Sequence, residues 1–253
     1  MKRVEPGQMP DFHHWISTCR SRHHLTIETA AVSAGITVSH LNKIEYGRRH
    51  PSRAATERLM NAYDLDSWQR RHTLDLWAPS QNLTPVEDLR RHLTTPAVHA
   101  HLDHLDARGV LAVYVDPLGT VLAANHAFHQ TFPGLDDLDG SLPAWFFTPA
   151  ARAHLPQWDF EAAHCVAILR GTLGRYRDTP DATRLLRKLR RDDDFTRLWA
   201  DYRVAYGRRA TKPIQLRPPH CDATVDLSFQ VSEFARPDIL ITYGVCDHPA
   251  IAC

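Results

Sequence analysis

Residues 34–52 read A-G-I-T-V-S-H-L-N-K-I-E-Y-G-R-R-H-P-S, and their types and spacing suit contact with duplex DNA. Gly35 can take the positive φ that a tight interhelical turn needs, and small Ala30, Ala31 and Ala34 let two helices approach closely. Thr37 suits the N-cap of the helix that follows. Along that helix Leu41 and Ile44 point one way, toward a core, while Ser39, Asn42, Lys43 and Tyr46 point the other. The second face offers donors, acceptors and a cation, which base edges and phosphates require, and a helix of this size fits the roughly 12 Å major groove. Gly47 can end the helix, with Arg48 and Arg49 following it toward phosphate oxygens. The DNA-contacting set is therefore Thr26, Thr37, Ser39, Asn42, Lys43, Arg48 and Arg49. Within it Ser39, Asn42 and Lys43 are assigned to base edges, and Thr26, Arg48 and Arg49 to phosphates. The competing reading is a helical hairpin used for protein contact.

Other chemistry is weaker. His99, His101 and His104 form H-x-H-x-x-H, but His99 lies roughly 200° around the helical wheel from His101. No Cys or carboxylate at suitable spacing completes four ligands, so a solvated helix face is expected and no metal or cofactor. The five cysteines (Cys19, Cys165, Cys221, Cys246 and Cys253) are widely spaced, form no C-x-x-C pair and read as reduced thiols. Cys165 follows His164 without an orienting third group, so a buried structural cysteine is the default. No P-loop, G-x-G-x-x-G, G-x-S-x-G or H-E-x-x-H occurs, and an enzyme is not expected. The run R-L-L-R-K-L-R-R at 184–191 reads as a solvated amphipathic helix with Leu185, Leu186 and Leu189 buried.

The elements that must position these residues divide the chain in two. At 253 residues and 43% hydrophobic content it is comfortable for two domains. No apolar run of 18 residues exists and the N-terminus lacks a signal-like apolar stretch, so a cytoplasmic protein without a membrane span is expected. Residues 1–82 hold 11 Lys and Arg against 8 Asp and Glu, and the rest 19 against 21. The sign suits an N-terminal DNA-binding module, while the small excess favours local contacts over non-specific coating.

Five helices are expected first: 11–22, the two motif helices, 53–63 capped by Ser52, and 68–77 capped by Ser67 with Leu74 and Trp77 on its buried face. A Pro-containing stretch at 78–85 breaks the helical pattern. The division is 1–79, a linker at 80–85, and a second domain over 86–253. There a helix over 86–105 precedes a hairpin (110–115 and 120–124). Helices follow over 160–173, 182–191 and 195–206, then strands over 224–231 and 239–245. Two strand pairs bracketing a helical insert predict an α+β domain with an antiparallel sheet.

Two resemblances add to this. The order T-x-E-x-A-A-x-x-A-G-I-T-x-S-x-L-x-K-I-E-x-G-R-R-x-P-S over 26–52 resembles the lambda-repressor-like (XRE) helix-turn-helix family, which implies an all-α DNA-binding domain. Ile27 stands where that family often has a Gln that braces a backbone contact. The stretches V-L-A-A-N-H-A-F (121–128), F-F-T-P-A-A-R-A-H-L-P-Q-W (146–158), D-F-T-R-L-W-A-D-Y-R-V (194–204) and K-P-I-Q-L-R-P-P (212–219) look like the MmyB-like ligand-binding domain, a PAS-like module. Ala124 and Tyr202 depart from that pattern, where Trp and His are frequent. This resemblance implies a cavity for a small apolar or acyl-chain-like (fatty-acid-like) molecule, with Phe128, Trp145, Phe147, Trp158, Cys165, Leu169, Trp199, Tyr202 and Phe229 as its candidate lining. The alternative reading of the same residues is plain core, in a domain serving only dimerisation or protein docking. The expected partners are a double-stranded DNA operator, an inverted repeat bound by a homodimer, and the small-molecule ligand.

Overall fold

A computed structural model describes residues 8–208, 213–218, 224–234 and 236–246. Its first elements are α1 (Phe12–Arg22), α2 (Ile27–Ser33), α3 (Val38–Glu45), α4 (Arg53–Ala62) and α5 (Ser67–Trp77). Each start is fixed by a side chain that accepts a first-turn N–H: Asp11, Thr26, Thr37, Ser52 and Asp66. The cap of α5 is Asp66, in a capping box with Gln69, and Ser67 is its first helical residue. The apolar stripes of these helices meet in one core that includes Trp15, Ile16, Ala30, Ala31, Leu41, Ile44, Leu59, Met60 and Tyr63. On α5 the buried residues are His72, Thr73 and Leu76, with Leu74 and Trp77 half-buried. The expected stripe is shifted because α5 also packs against a helix of the second half.

The single helix expected over 86–105 is two, α6 (Val86–Leu93) and α7 (Pro96–Asp106). Pro96 lacks the N–H needed to continue α6, and Thr95 caps the new helix by accepting from Val98 N. Next come β1 (Leu111–Val115) and β2 (Val121–Ala124), the expected hairpin. After it stand three short helices outside the individual helix ranges expected above, the last of them inside the stretch 149–206 that reads as helical: α8 (His126–Thr131), α9 (Leu142–Trp145) and α10 (Pro149–His154). The long α11 (Trp158–Arg175), α12 (Pro180–Leu189) and α13 (Asp193–Trp199) follow, then β3 (Ile214–Leu216), β4 (Val225–Glu233) and β5 (Leu240–Cys246). Strand β3 was also unforeseen. The helix expected over 195–206 stops at Trp199, and Tyr202 adopts a left-handed φ of 53°.

All strand pairs are antiparallel, in the order β2-β1-β5-β4-β3. Alternation along β1 splits its residues between two cores. Leu111, Val113 and Val115 join Phe128, Trp145, Val225 and Leu227 beneath the short helices. Ala112 and Tyr114 join Leu89, Leu93, Val98 and Leu102 of α6 and α7 on the other face. A third core holds Leu169, Leu173, Leu186, Leu189, Phe195 and Trp199, among α11, α12 and α13. An all-α N-terminal region followed by an α+β domain is thus the observed fold. Among the described residues no helix is long and apolar enough to cross a membrane.

The two halves are joined closely. A Cβ on Gly174 of α11 would stand 2.5 Å from His72 Cε1. Tyr206 donates its hydroxyl proton to Asp75 Oδ2 at 2.5 Å. The Arg177 guanidinium donates to Asp75 O at 3.0 Å, Gly174 O at 2.8 Å and Ala78 O, capping the carboxyl ends of α5 and α11 together. The non-helical stretch after α5 is tied to the same place, with Gln81 N donating to Arg175 O at 2.9 Å. Val204 and Tyr206 pack into the N-terminal core itself.

Candidate nucleic-acid interface and ligand-binding core

The orientation of α3 is set from both ends. At its start Gly35 takes φ 60°, and Thr37 Oγ1 accepts from His40 N at 3.1 Å. Arg58 of α4 donates from Nε to Ala34 O at 2.9 Å, fixing the turn from α2. At the other end His13 Nδ1 donates to Ile44 O at 2.8 Å. Arg20 of α1 grips Glu45 with two parallel bonds, Nε to Oε1 at 2.7 Å and Nη2 to Oε2 at 2.9 Å. Gly47, with φ 69°, ends the helix, and a Cβ there would meet His13 Cδ2 at 3.2 Å. The N–H groups of Arg48 and Arg49 then both donate to Lys43 O, at 2.8 and 3.1 Å.

This frame leaves Ser39, Lys43, Arg48 and Arg49 exposed and Asn42 half-buried on α3 and the loop after it. Thr26 and Thr37 are exposed as well, but their hydroxyls are engaged as helix caps. Tyr46 is 68% exposed, with the Arg48 guanidinium 5.8 Å from its ring centroid. Burial, and then the cations Arg49, Lys43 and Arg58, hold His40 below the usual imidazole range. Ile27 is half-buried against the N-terminal core. The bracing roles of Arg20, Glu45, His13 and Arg58 carry no local sequence signal, although Glu45 lies inside the quoted motif.

The nine candidate lining residues do not converge on one point. Phe128 and Trp145 lie in the sheet core, linked through Phe132 with ring centroids 4.6 and 5.0 Å apart. Phe229 packs on the same core, over Gly244, whose added Cβ would meet Phe229 Cε1 at 2.9 Å. Phe147, Leu169 and Trp199 belong to the helical core, where Phe147 stands 5.5 Å from Phe195 and Phe195 stacks on Trp199 at 5.3 Å. Trp158 packs against both cores, at 6.3 Å from Phe147. Its Nε1 donates to Phe146 O at 2.6 Å, and the Arg152 guanidinium lies 3.7 Å over its ring.

Cys165 is half-buried on α11 and packs in neither core, and Tyr202 stands apart from both, beside His14 of α1. Burial pushes the thiols of Cys19 and Cys165 up to about 12, so neither is a thiolate at neutral pH. Cys221 and Cys253 lie outside the described residues, as do Lys212 and Pro219 of the fourth quoted stretch.

The described surface carries, among others, two clefts. One, of about 480 Å³, runs between Phe12, His13, His50, Trp77 and Arg177. The other, of about 360 Å³, lies along β2 between Arg90, His129, Asp136 and Asp139. Neither is lined by any of the nine residues. Among the described residues no cluster of His, Cys, Asp and Glu could hold a metal ion.

These features meet their counterparts in known sequence families. A helix-turn-helix domain model matches residues 17–73, the span from α1 to α5. A search of the curated proteins found no match. A model of the MmyB-like transcription regulator ligand binding domain matches residues 94–238, more than half of the chain and most of the sheet with its helical insert, so the chain belongs to the MmyB-like transcription regulators.

Proposed function

We propose that this regulator reads an operator through α3 and answers to a small apolar or acyl-chain-like molecule held between the sheet and the helices that cover it. DNA binding and a ligand-binding domain come with the family. The finer assignment rests chiefly on the exposed polar face of α3, held between the His13 and Arg20 braces. Ser39, Asn42 and Lys43 take base edges. Arg48 and Arg49 take phosphates, and Thr26 and Thr37 present the amino ends of α2 and α3 to the backbone. One eight-residue helix reads too few base pairs for genomic selectivity, so a homodimer on an inverted repeat is the working form.

Asn42→Ala is expected to cost roughly 1–3 kcal/mol of discrimination between operator and random duplex, with non-specific binding kept. Arg49→Ala instead lowers the slope of log affinity against log salt by about 0.9. Competition binding at several salt concentrations measures both effects. Equal weakening on all sequences by Asn42→Ala would remove it from the base-reading set.

For the ligand, the supporting observation is Trp158, which joins the aromatic core on the sheet face to the one among α11, α12 and α13. The rival reading, a ligand-free domain for dimerisation or docking, is favoured by Trp145 and Phe195, both fully buried in direct ring contacts. Native mass spectrometry of the full-length protein separates them. A co-purifying apolar molecule that is lost in Leu169→Trp supports the sensor. A mass equal to the bare chain, together with no shift in melting on adding saturated fatty acids, supports the rival.

A further inference from the structure

Arg170 is buried on α11, yet no carboxylate stands within ion-pair distance of it among the described residues. It donates instead to two carbonyls, Trp199 O at the end of α13 and Arg203 O four residues beyond it, the latter at 3.1 Å. Its guanidinium also lies between two rings, 4.0 Å from the Trp199 centroid and 4.9 Å from that of Tyr202. A buried cation whose direct contacts are carbonyls and π faces is costly to keep. Desolvation accordingly lowers its pKa to about 10. Tyr202 adds a second unfavourable feature, because an aromatic residue at φ 53° occupies a backbone region that disfavours bulky side chains. Both features fall on one short segment, which suggests that its conformation is held for a reason other than packing alone.

The segment runs between the two halves. Trp199 stacks in the helical core, while Val204 and Tyr206 are inserted in the N-terminal core. Between them the Tyr202 hydroxyl hydrogen-bonds His14 Nε2, with the two rings 5.3 Å apart. Asp201 O accepts from Arg22 Nη1 at 2.5 Å. Both partners are on α1, and the neighbour of His14, His13, holds Ile44 O at the end of α3. One helical turn therefore touches the segment after α13 through Tyr202 and the reading helix through His13.

We propose that Arg170, Trp199, Tyr202 and His14 form a latch that fixes the angle at which α3 is presented, with Arg170 and Tyr202 as positioning residues for DNA reading. The proposal rests on α3 being the reading helix. Arg170 shapes the carboxyl end of α13 so that Tyr202 points at α1. The hydroxyl then ties α1, and with it α3, to the segment after α13, which Arg170 holds against Trp199 of the helical core. A head held at one angle gives up less orientational freedom when a paired operator is bound.

The test uses the full-length protein and a duplex recovered by in vitro selection with the wild type. Tyr202→Phe keeps both ring contacts and removes only the hydroxyl, and His14→Ala removes its partner. Each is expected to weaken binding of the selected duplex three- to tenfold, with random-duplex binding unchanged and the thermal midpoint moved by no more than about 3 °C. The double variant is expected to bind no worse than the weaker single. Amide exchange should rise in α1 and residues 200–206, with α6 and α7 unaffected. Unchanged affinity, equal weakening on both duplexes, or tighter binding overturns the latch. Asn42→Ala run alongside keeps the two ideas apart. Loss of preference there with no effect of Tyr202→Phe overturns the latch alone, while preference retained with Ser39, Asn42 and Lys43 all replaced by Ala overturns α3 as the reading helix.

Discussion

Replacing Gly174 with valine is expected to remove about 3 kcal/mol from the contact between α5 and α11 and to release the DNA-binding helices from the ligand-binding domain. The reason is the space at this position. A Cβ would lie 2.5 Å from His72 Cε1, 2.9 Å from His72 Nδ1 and 3.3 Å from Leu76 Cδ2. The His72 ring cannot swing away. It is fully buried, set edge-on to Trp15 at 4.7 Å, with the Tyr206 hydroxyl 3.5 Å from Nδ1. Burial, with the Arg170 and Arg177 cations adding to it, depresses His72 to about 3, so the neutral ring is a fixed part of the wall at neutral pH. Gly171 is under the same constraint one turn earlier, where a Cβ would meet Ala205 O at 2.8 Å.

Two glycines inside α11 each cost about 1 kcal/mol in helix propensity. Their place in the helix is explained by the close approach they allow. Denaturant unfolding of Gly174→Val is expected to show an early transition absent from wild type, and proteolysis to cut sooner near residues 78–85. Gly207→Ala is the control, since nothing lies within 4 Å of an added Cβ there. A Gly174→Val protein that unfolds like Gly207→Ala would mean that the α5–α11 contact is softer than these distances imply.

The close-packed junction was the part of the molecule least legible in the sequence. The α2–α3 motif could be read because its signals are local: Gly35 for the turn, Thr37 for the cap, and Leu41 with Ile44 one turn apart. The strands β4 and β5 were legible for a similar reason, since Val225, Leu227 and Phe229 alternate with polar residues. Strand β3, three residues long, is too short for a period of two to register. The short helices α8, α9 and α10 carry readable caps in Asn125, Ser141 and Thr148, but four to six residues hold no helical period.

The end of α13 carries no Gly or Pro signal. It is determined by Arg170, about thirty residues earlier, taking the Trp199 and Arg203 carbonyls. The same non-local contact sets where Tyr202, a candidate lining residue, points. From sequence it sits among aromatic residues, and only the fold turns it toward His14. Aromatic composition could indicate a large apolar interior, but it could not divide that interior into two cores meeting at Trp158.

Glu45→Ala is expected to cost about 3 kcal/mol of stability in the DNA-binding helices and to abolish operator preference with it. Glu45 closes α3, and its carboxylate is nearly buried, with a side-chain exposure of 8% against 17% for Arg20. The Arg20 guanidinium uses both remaining faces of its fork: two bonds to the carboxylate, and Nη1 to Leu25 O at 2.9 Å in the turn before α2. One side chain thus joins the end of α1, the start of α2 and the end of α3. Truncating Glu45 strands that cation in a poorly hydrated site, which is why breaking such a pair costs more than the pair itself is worth. Replacing both partners with apolar residues, as in Arg20→Met with Glu45→Leu, should therefore recover much of the lost stability while leaving α3 without its bidentate guide. Unfolding followed by tryptophan fluorescence, alongside competition binding, reads the two effects separately. If the double variant regains stability and full operator preference, the pair only relieves buried charge; if stability returns without preference, the pair aims the reading helix.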